Sequence, residues 1–198
     1  DRSKIITAEE AAALIKDGST VAVEGAGRLL LSEAILSAIE KRFVKTGRPR
    51  GLTLIQPCGF GDDGDAGASH FAHEGLVKRV ISPGWGDGPK MERLALQNKL
   101  EAYCFPQGVV GQMIWSAANK KPRVITHVGL ETFIDPRQEG GKMNPSAQED
   151  LVDVMMIDGR EWLAFKVFPI DVAIIRGTTA DEFGNISMEH EAVILQPL

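Results

Sequence analysis

Two cysteines, one tyrosine and four histidines in 198 residues leave little material for several common chemistries. Cys58 and Cys104 are too few and too isolated for a disulfide framework or a zinc cluster, which points to a reducing compartment and a cytoplasmic protein with no metal. No apolar run approaches the roughly 20 residues of a membrane span, and no charged-then-apolar leader opens the chain, so no membrane partner is expected. Positive charge is short as well: 22 Lys and Arg against 27 Asp and Glu give a net charge of −5, which offers nucleic acid no electrostatic footprint. The one mild basic cluster, Lys41, Arg42, Lys45, Arg48 and Arg50, reads as a solvated helix end, since cations complement a helix C-terminus.

Several catalytic signatures are missing too. There is no GxSxG elbow for a serine nucleophile, no phosphate-binding P-loop and no HExxH zinc helix. His70 and His73 are three apart, close enough to share a helix face, but their order does not match a zinc site and an exposed or capping role is expected. Asp62, Asp63 and Asp65 fail the calcium-loop template, because Gly67 and Ser69 stand where oxygen ligands are wanted. Cys58 at a strand end reads as a small hydrophobe before a nucleophile, His127 as a structural histidine before a base, and Glu189 and Glu191 as one face of an exposed strand.

What is present is an ordinary globular composition, 43% hydrophobic, enough for one α/β domain over residues 1–198. Thr7 to Glu10 is a capping box, so a helix starts there and Gly18 ends it. A strand over 20–24, a helix over 31–45 and a buried-looking strand over 52–56 follow, an order that argues for a parallel sheet flanked by helices. Strands are expected at 78–82, 101–105, 124–128 and 171–176, and helices at 89–99 and 110–119. Asp158-Gly159 between two apolar runs predicts a β-hairpin. Residues 129–150 show no periodicity, and a loop of that length inside a domain is usually functional or mobile.

The strand ends share one character: Gly25-Ala26-Gly27, Gln56-Pro57-Cys58-Gly59, Ser82-Pro83-Gly84 and Pro106-Gln107-Gly108. If these strands are parallel neighbours, all four ends line one edge, where open α/β sheets bind ligands. Such an edge offers backbone amides and an amide side chain to a carboxylate or thioester oxygen, but no evident nucleophile. Gly25-x-Gly27 alone is not a dinucleotide fingerprint, because Leu30 fills the third glycine position and Gln56 stands where an acidic residue is required.

Taken in order, Lys4-Ile5-Ile6, Val21 to Gly27, Gly84-Trp85-Gly86 before Met91-Glu92, Phe105-Pro106-Gln107-Gly108, and Gly177 to Ile186 resemble the amino-terminal half of a family I coenzyme A transferase. The likeness is to the acyl-CoA:acetate, 3-oxoacid or propionate type, and it runs over nearly the whole chain. It implies an open three-layer α/β fold repeated in two halves, with the active site between them. It also implies coenzyme A as a substrate, no tightly bound cofactor, and acyl-CoA and carboxylate partners. The family's nucleophilic glutamate has no counterpart here, so no catalytic residue is assigned to this chain. The glutamate is expected in a carboxy-terminal half, in the same chain or a second subunit, of a protein that assembles as a homo-oligomer.

By the same resemblance Gly25, Ala26, Gly27, Gln107 and Gly108 face the substrate pocket, while Pro57-Cys58 departs from the asparagine pair of relatives. Apolar edges at Val110 to Trp115 and Val193 to Leu195 suggest contacts with the second half. A sugar-phosphate isomerase or a non-catalytic assembly subunit on the same fold are the alternatives. For the isomerase, only Arg28 stands close to a glycine turn as a phosphate-binding cation.

Overall fold

The computed structural model describes residues 3–191. At its centre five parallel strands lie in the order β4-β3-β2-β1-β8, with β1 Thr20–Val23, β2 Leu52–Ile55, β3 Val77–Ser82, β4 Glu101–Cys104 and β8 Val172–Ile174. The register runs straight across, Ala22 opposite Ile55, Ile55 opposite Ile81 and Ile81 opposite Tyr103, with Ala173 on the other side of Ala22. Alternate side chains therefore serve two different cores. Val23, Leu54, Val80 and Ala102 pack with the helices α1 Ala8–Leu14, α2 Glu33–Thr46 and α3 Pro89–Leu96. Ile55, Ile81 and Tyr103 face α4 Gln107–Ala118 and a second, antiparallel sheet. The expected three-layer α/β architecture is what forms.

The second sheet has the order β5-β7-β6, from β5 Arg123–Thr126, β6 Val152–Ile157 and β7 Arg160–Lys166. The last two are the hairpin, and its turn needs left-handed backbone at both central residues, which Asp158 (φ 50) and Gly159 (φ 74) adopt. A short antiparallel pair, β9 Thr179–Ala180 and β10 Ile186–Ser187, closes the described chain. No helix among the described residues is long and apolar enough to cross a membrane.

The capping box forms as read: Thr7 Oγ1 accepts from the Glu10 amide at 3.2 Å and Glu10 Oε2 from the Thr7 amide at 2.8 Å. The helix stops at Leu14 instead of reaching Gly18, because Ile15 turns extended to bury its side chain in the core, and Gly18 (φ 75) instead makes the turn into β1. Arg42 is not a solvated helix-end charge. It is half-buried and donates from Nη1 to the carbonyls of Ala12 (2.5 Å) and Ile15 (2.9 Å), satisfying the acceptors that α1 leaves open at its C-terminus.

Two further expectations change. Val110, Met113 and Ile114 are buried against the sheet, so the apolar run on α4 is core, and of its large apolar side chains Trp115 alone stands in solvent, at 55% exposure. Val193 to Leu195 lie outside the described residues. Residues 129–150 contain no helix or strand, yet they are firmly held. Cys104 N donates to Gly141 O (2.8 Å) and Met143 N to Ala102 O (2.9 Å), while Asn144 Nδ2 donates to Ala95 O (2.7 Å) and Leu100 O (2.8 Å). The segment thereby covers the free edge of β4, which would otherwise offer unpaired backbone to another chain.

Candidate functional site

Because β1, β2, β3 and β4 are parallel and adjacent, their carboxyl ends lie side by side. Gly25 to Gly27, Gln56 to Gly59, Ser82 to Gly84 and Pro106 to Gly108 thus share one edge of the sheet. On the far side of β1, β8 adds residues 175–177 to that edge. The glycine turn after β1 is built differently from the expected amide cradle. Ala26 N donates to Leu29 O (3.1 Å) and Gly27 N to Gly59 O (2.9 Å), so both amides are committed within the protein. Gly27 O in turn accepts from Gly61 N at 2.8 Å, binding this turn to the loop after β2.

Glycine is required at position 25 by close packing, since a Cβ there would lie 2.5 Å from the Cβ of Phe60. The following helix also starts later than expected. Leu30 buries its side chain with a left-handed backbone (φ 57), and α2 begins only at Glu33. Its N-terminus is therefore displaced from the glycine turn.

Gln107 and Gly108 occupy the first two positions of α4 and are both exposed. Pro106 precedes them as N-cap with no side-chain bond to the helix; its carbonyl takes the Val109 and Val110 amides (2.9 and 3.0 Å), which leaves the amides of Gln107 and Gly108 as the open ones of the first turn. A helix start of this kind favours negative charge through its backbone N–H groups and dipole. Of the five residues read as substrate-facing, these two present open polar groups, whereas the amides of Ala26 and Gly27 are spent within the protein.

The remaining candidates sort by position. Burial and the nearby Asp87 carboxylate push the Cys58 thiol up, away from the reactive thiolate. His127 follows β5 in the antiparallel sheet, its ring edge-on to Trp162 with centroids 6.0 Å apart. Glu189 accepts from Thr179 Oγ1 (2.9 Å) within a turn instead of an extended strand, and Glu24 Oε2 accepts from the Arg176 amide (3.0 Å). Arg28 is directed to the acidic loop, Nη2 lying 3.3 Å from Asp62 O and 3.4 Å from Asp63 Oδ2, which leaves the phosphate-binding alternative without a dedicated cation.

The histidine pair is neither exposed nor a helix cap. His70 donates or accepts at both ring nitrogens, Nδ1 to Glu40 Oε2 (2.6 Å) and Nε2 to Glu33 Oε2 (2.9 Å), and His73 Nε2 meets Glu40 Oε1 (2.7 Å). Burial alone would lower the His70 pKa, but the two carboxylates outweigh it and the net direction is up. Glu33 Oε1 also accepts from the Gly67 amide at 2.7 Å, so this cluster ties the loop after β2 to the start of α2.

A parallel α/β sheet with its glycine turns and an open helix start gathered at the carboxyl edge is an open-sheet α/β domain, the class in which ligands settle at that edge. The sequence profile of the coenzyme A transferase family matches residues 5–197, and the chain belongs to that family. It is 40% identical over 198 residues to the acetate CoA-transferase YdiF of Escherichia coli (strain K12), covering 100% of this chain and 37% of that protein. Over 196 residues it is 44% identical to the caffeate CoA-transferase of Acetobacterium woodii, covering 99% of this chain and 37% of that one. The solved thioester complex of the acyl-CoA transferase YdiF from E. coli O157:H7 with CoA superposes with a TM-score of 0.93 at 38% identity, over 100% of this chain and 39% of that chain. The chain thus spans little more than a third of the length of the curated relatives it matches.

Proposed function

We propose that this chain is the substrate-facing wall of an enzyme that moves coenzyme A from an acyl-CoA to a short-chain carboxylate or 3-oxoacid. The observation that carries this reading is the adjacency of the four strand ends, with the exposed Gln107-Gly108 start of α4 beside them. Open helix amides and a carboxamide suit a carboxylate, which carries negative charge before it reacts, or a thioester carbonyl, whose oxygen gains negative charge during acyl transfer. Gln107 and Gly108 bind that oxygen, and Gly25, Ala26 and Gly27 give the acyl group a floor with no side chain larger than a methyl group.

The nucleophile comes from a second half, in the same polypeptide or a separate subunit. A glutamate there attacks the thioester carbonyl, the carbon–sulfur bond breaks, and the CoA thiolate leaves a mixed anhydride. The thiolate then attacks the glutamyl carbonyl and releases the first carboxylate, and the glutamyl thioester passes CoA to the acceptor by the reverse sequence. Coenzyme A is a substrate in this scheme, and no tightly bound cofactor takes part. Residues 1–198 act as one α/β unit in a cytoplasmic homo-oligomer. A trench of about 760 Å³ between α1 and β8, lined by Leu14, Ile35 and Val172 together with Lys16, Asp17 and Asp171, offers a seat of mixed character for the second half.

The test is to incubate the full-length protein with an acyl-CoA, reduce with borohydride and map the product by mass spectrometry. A glutamyl adduct outside residues 1–198, together with no CoA exchange by the 198-residue chain alone, is the expected result. An adduct on this chain, or turnover by it alone, would sink the division of labour.

A further inference from the structure

Between the ends of β2 and β3 lies a small recess bounded by Gln56, Gly59, Phe60, Gly84, Trp85 and Met91. Its volume, about 10 Å³, is the room that one water-sized atom needs. Two of these residues carry a buried N–H with no partner in the protein: Nε2 of Gln56, a residue 3% exposed, and the indole Nε1 of Trp85. Buried donors are almost always satisfied, so a pair left open in one recess calls for an acceptor from outside the chain. Glycines let the backbone close tightly around it. A Cβ on Gly59 would come within 2.8 Å of Asp87 Oδ2 and 3.1 Å of Gly84 O, and a Cβ on Gly88 within 3.0 Å of the Ala68 Cβ. The other walls, Phe60, Ala68 and Met91, are carbon, which favours an acceptor that needs nothing beyond two donors.

We propose that Gln56 Nε2 and Trp85 Nε1 form a binding site for a single acceptor oxygen, at the same carboxyl edge of the sheet that carries Gln107. Two sources carry that chemistry, the acyl oxygen of the substrate and a buried water, and the inference that the first occupies the site rests on the CoA-transferase reading above. A carboxylate or thioester-carbonyl oxygen accepts two hydrogen bonds and demands no acceptor from the wall. In that case Gln56 and Trp85 discriminate substrates by whether an oxygen stands at this point.

The experiment uses the full-length protein. A high-resolution structure without substrate and with acetate is compared with steady-state kinetics of Gln56→Met and Trp85→Phe, with Trp162→Phe as control because that indole also lacks a partner but lies on the antiparallel sheet. An acetate oxygen within hydrogen-bond distance of both nitrogens, and a rise of about tenfold in KM for acetate in each variant but not in the control, supports the site with substrate as the source. An ordered water that stays with acetate bound, with lowered stability and unchanged KM in the variants, supports the site with water as the source. The Trp85 indole proton, followed by NMR, reports occupancy independently of turnover: it is protected and shifted if the oxygen is there. Absence of any oxygen in both structures, or a Gln56 amide turned so that its oxygen accepts directly from Trp85, overturns the proposal. If CoA exchange fails altogether while the oxygen is present, the transferase reading falls and the site stands.

Discussion

The two ends of the central sheet are built on opposite principles. At the amino end charges are paired off: Arg79, itself 9% exposed, donates to Glu101 (2.6 Å) and Glu149 (2.7 Å), Lys166 joins Glu149, and Asp17 receives Arg48 at 3.0 Å. The Thr20 amide is likewise held by Asp171 at 2.8 Å. At the carboxyl end the same strands finish in glycine, proline and glutamine, with open donors at α4 and in the recess beside Trp85. One end uses its polar groups on itself and contributes stability; the other holds them in reserve. That asymmetry follows from a parallel sheet, in which every strand delivers the same kind of terminus to the same edge.

Breaking the closed end has the largest expected effect on folding. Arg79→Ala leaves two carboxylates facing each other around Tyr103 and should lower unfolding free energy by about 3 kcal/mol in a denaturant titration, with KM unchanged in the full-length protein. Gly25→Ala strikes the open end through its floor. The collision with Phe60 should cost about 1–3 kcal/mol and depress kcat/KM in the same assay, and an unperturbed melting curve would remove the packing argument.

Gln107→Ala should do the reverse of Arg79→Ala, leaving the denaturation midpoint in place while kcat/KM falls about tenfold, since Gln107 is exposed in this chain and supports no core. An unchanged kcat/KM would take Gln107 out of the site. The smallest effect is a pH dependence of stability from the His70 cluster, which braces the loop beside the open end. His70 has a raised value in the folded state, so its contribution is complete below about pH 6.5 and disappears as pH rises through that raised value. Glu40, whose pKa burial would raise but the two histidines bring down overall, contributes above the ordinary glutamate value of 4.5 and loses that contribution as pH falls through the lowered one. Stability against pH should therefore lose part of its upper limb in His70→Gln, and an identical curve would assign the cluster no role.

Much of the architecture was legible because its signals are local. The Thr7–Glu10 capping box, the Asp158-Gly159 turn and the β-turn-α-β order all lie within a few residues or one repeating pattern. The convergence of four glycine-bearing strand ends was legible too, conditional on parallel neighbours, and the strand order supplies that condition. What escaped depends on partners far away in sequence. Arg42 meets α1 across 27 to 30 residues, His70 meets Glu33 and Glu40 across 37 and 30, and the Gly27 amide is taken by Gly59. Phe60 gave no sign that it would lie on Gly25, since an aromatic two residues past a cysteine fits any strand-end loop. The unpaired indole of Trp85 has no sequence signature at all.

The pairing of β8 with β1 has a consequence for how the chain is made. Val21 waits for Val172, so during synthesis the outer flank of β1 stays unprotected until some 150 further residues have left the ribosome. Such distant pairing slows folding and leaves a sticky ribbon on the nascent chain, which makes this strand a natural point of engagement for chaperones.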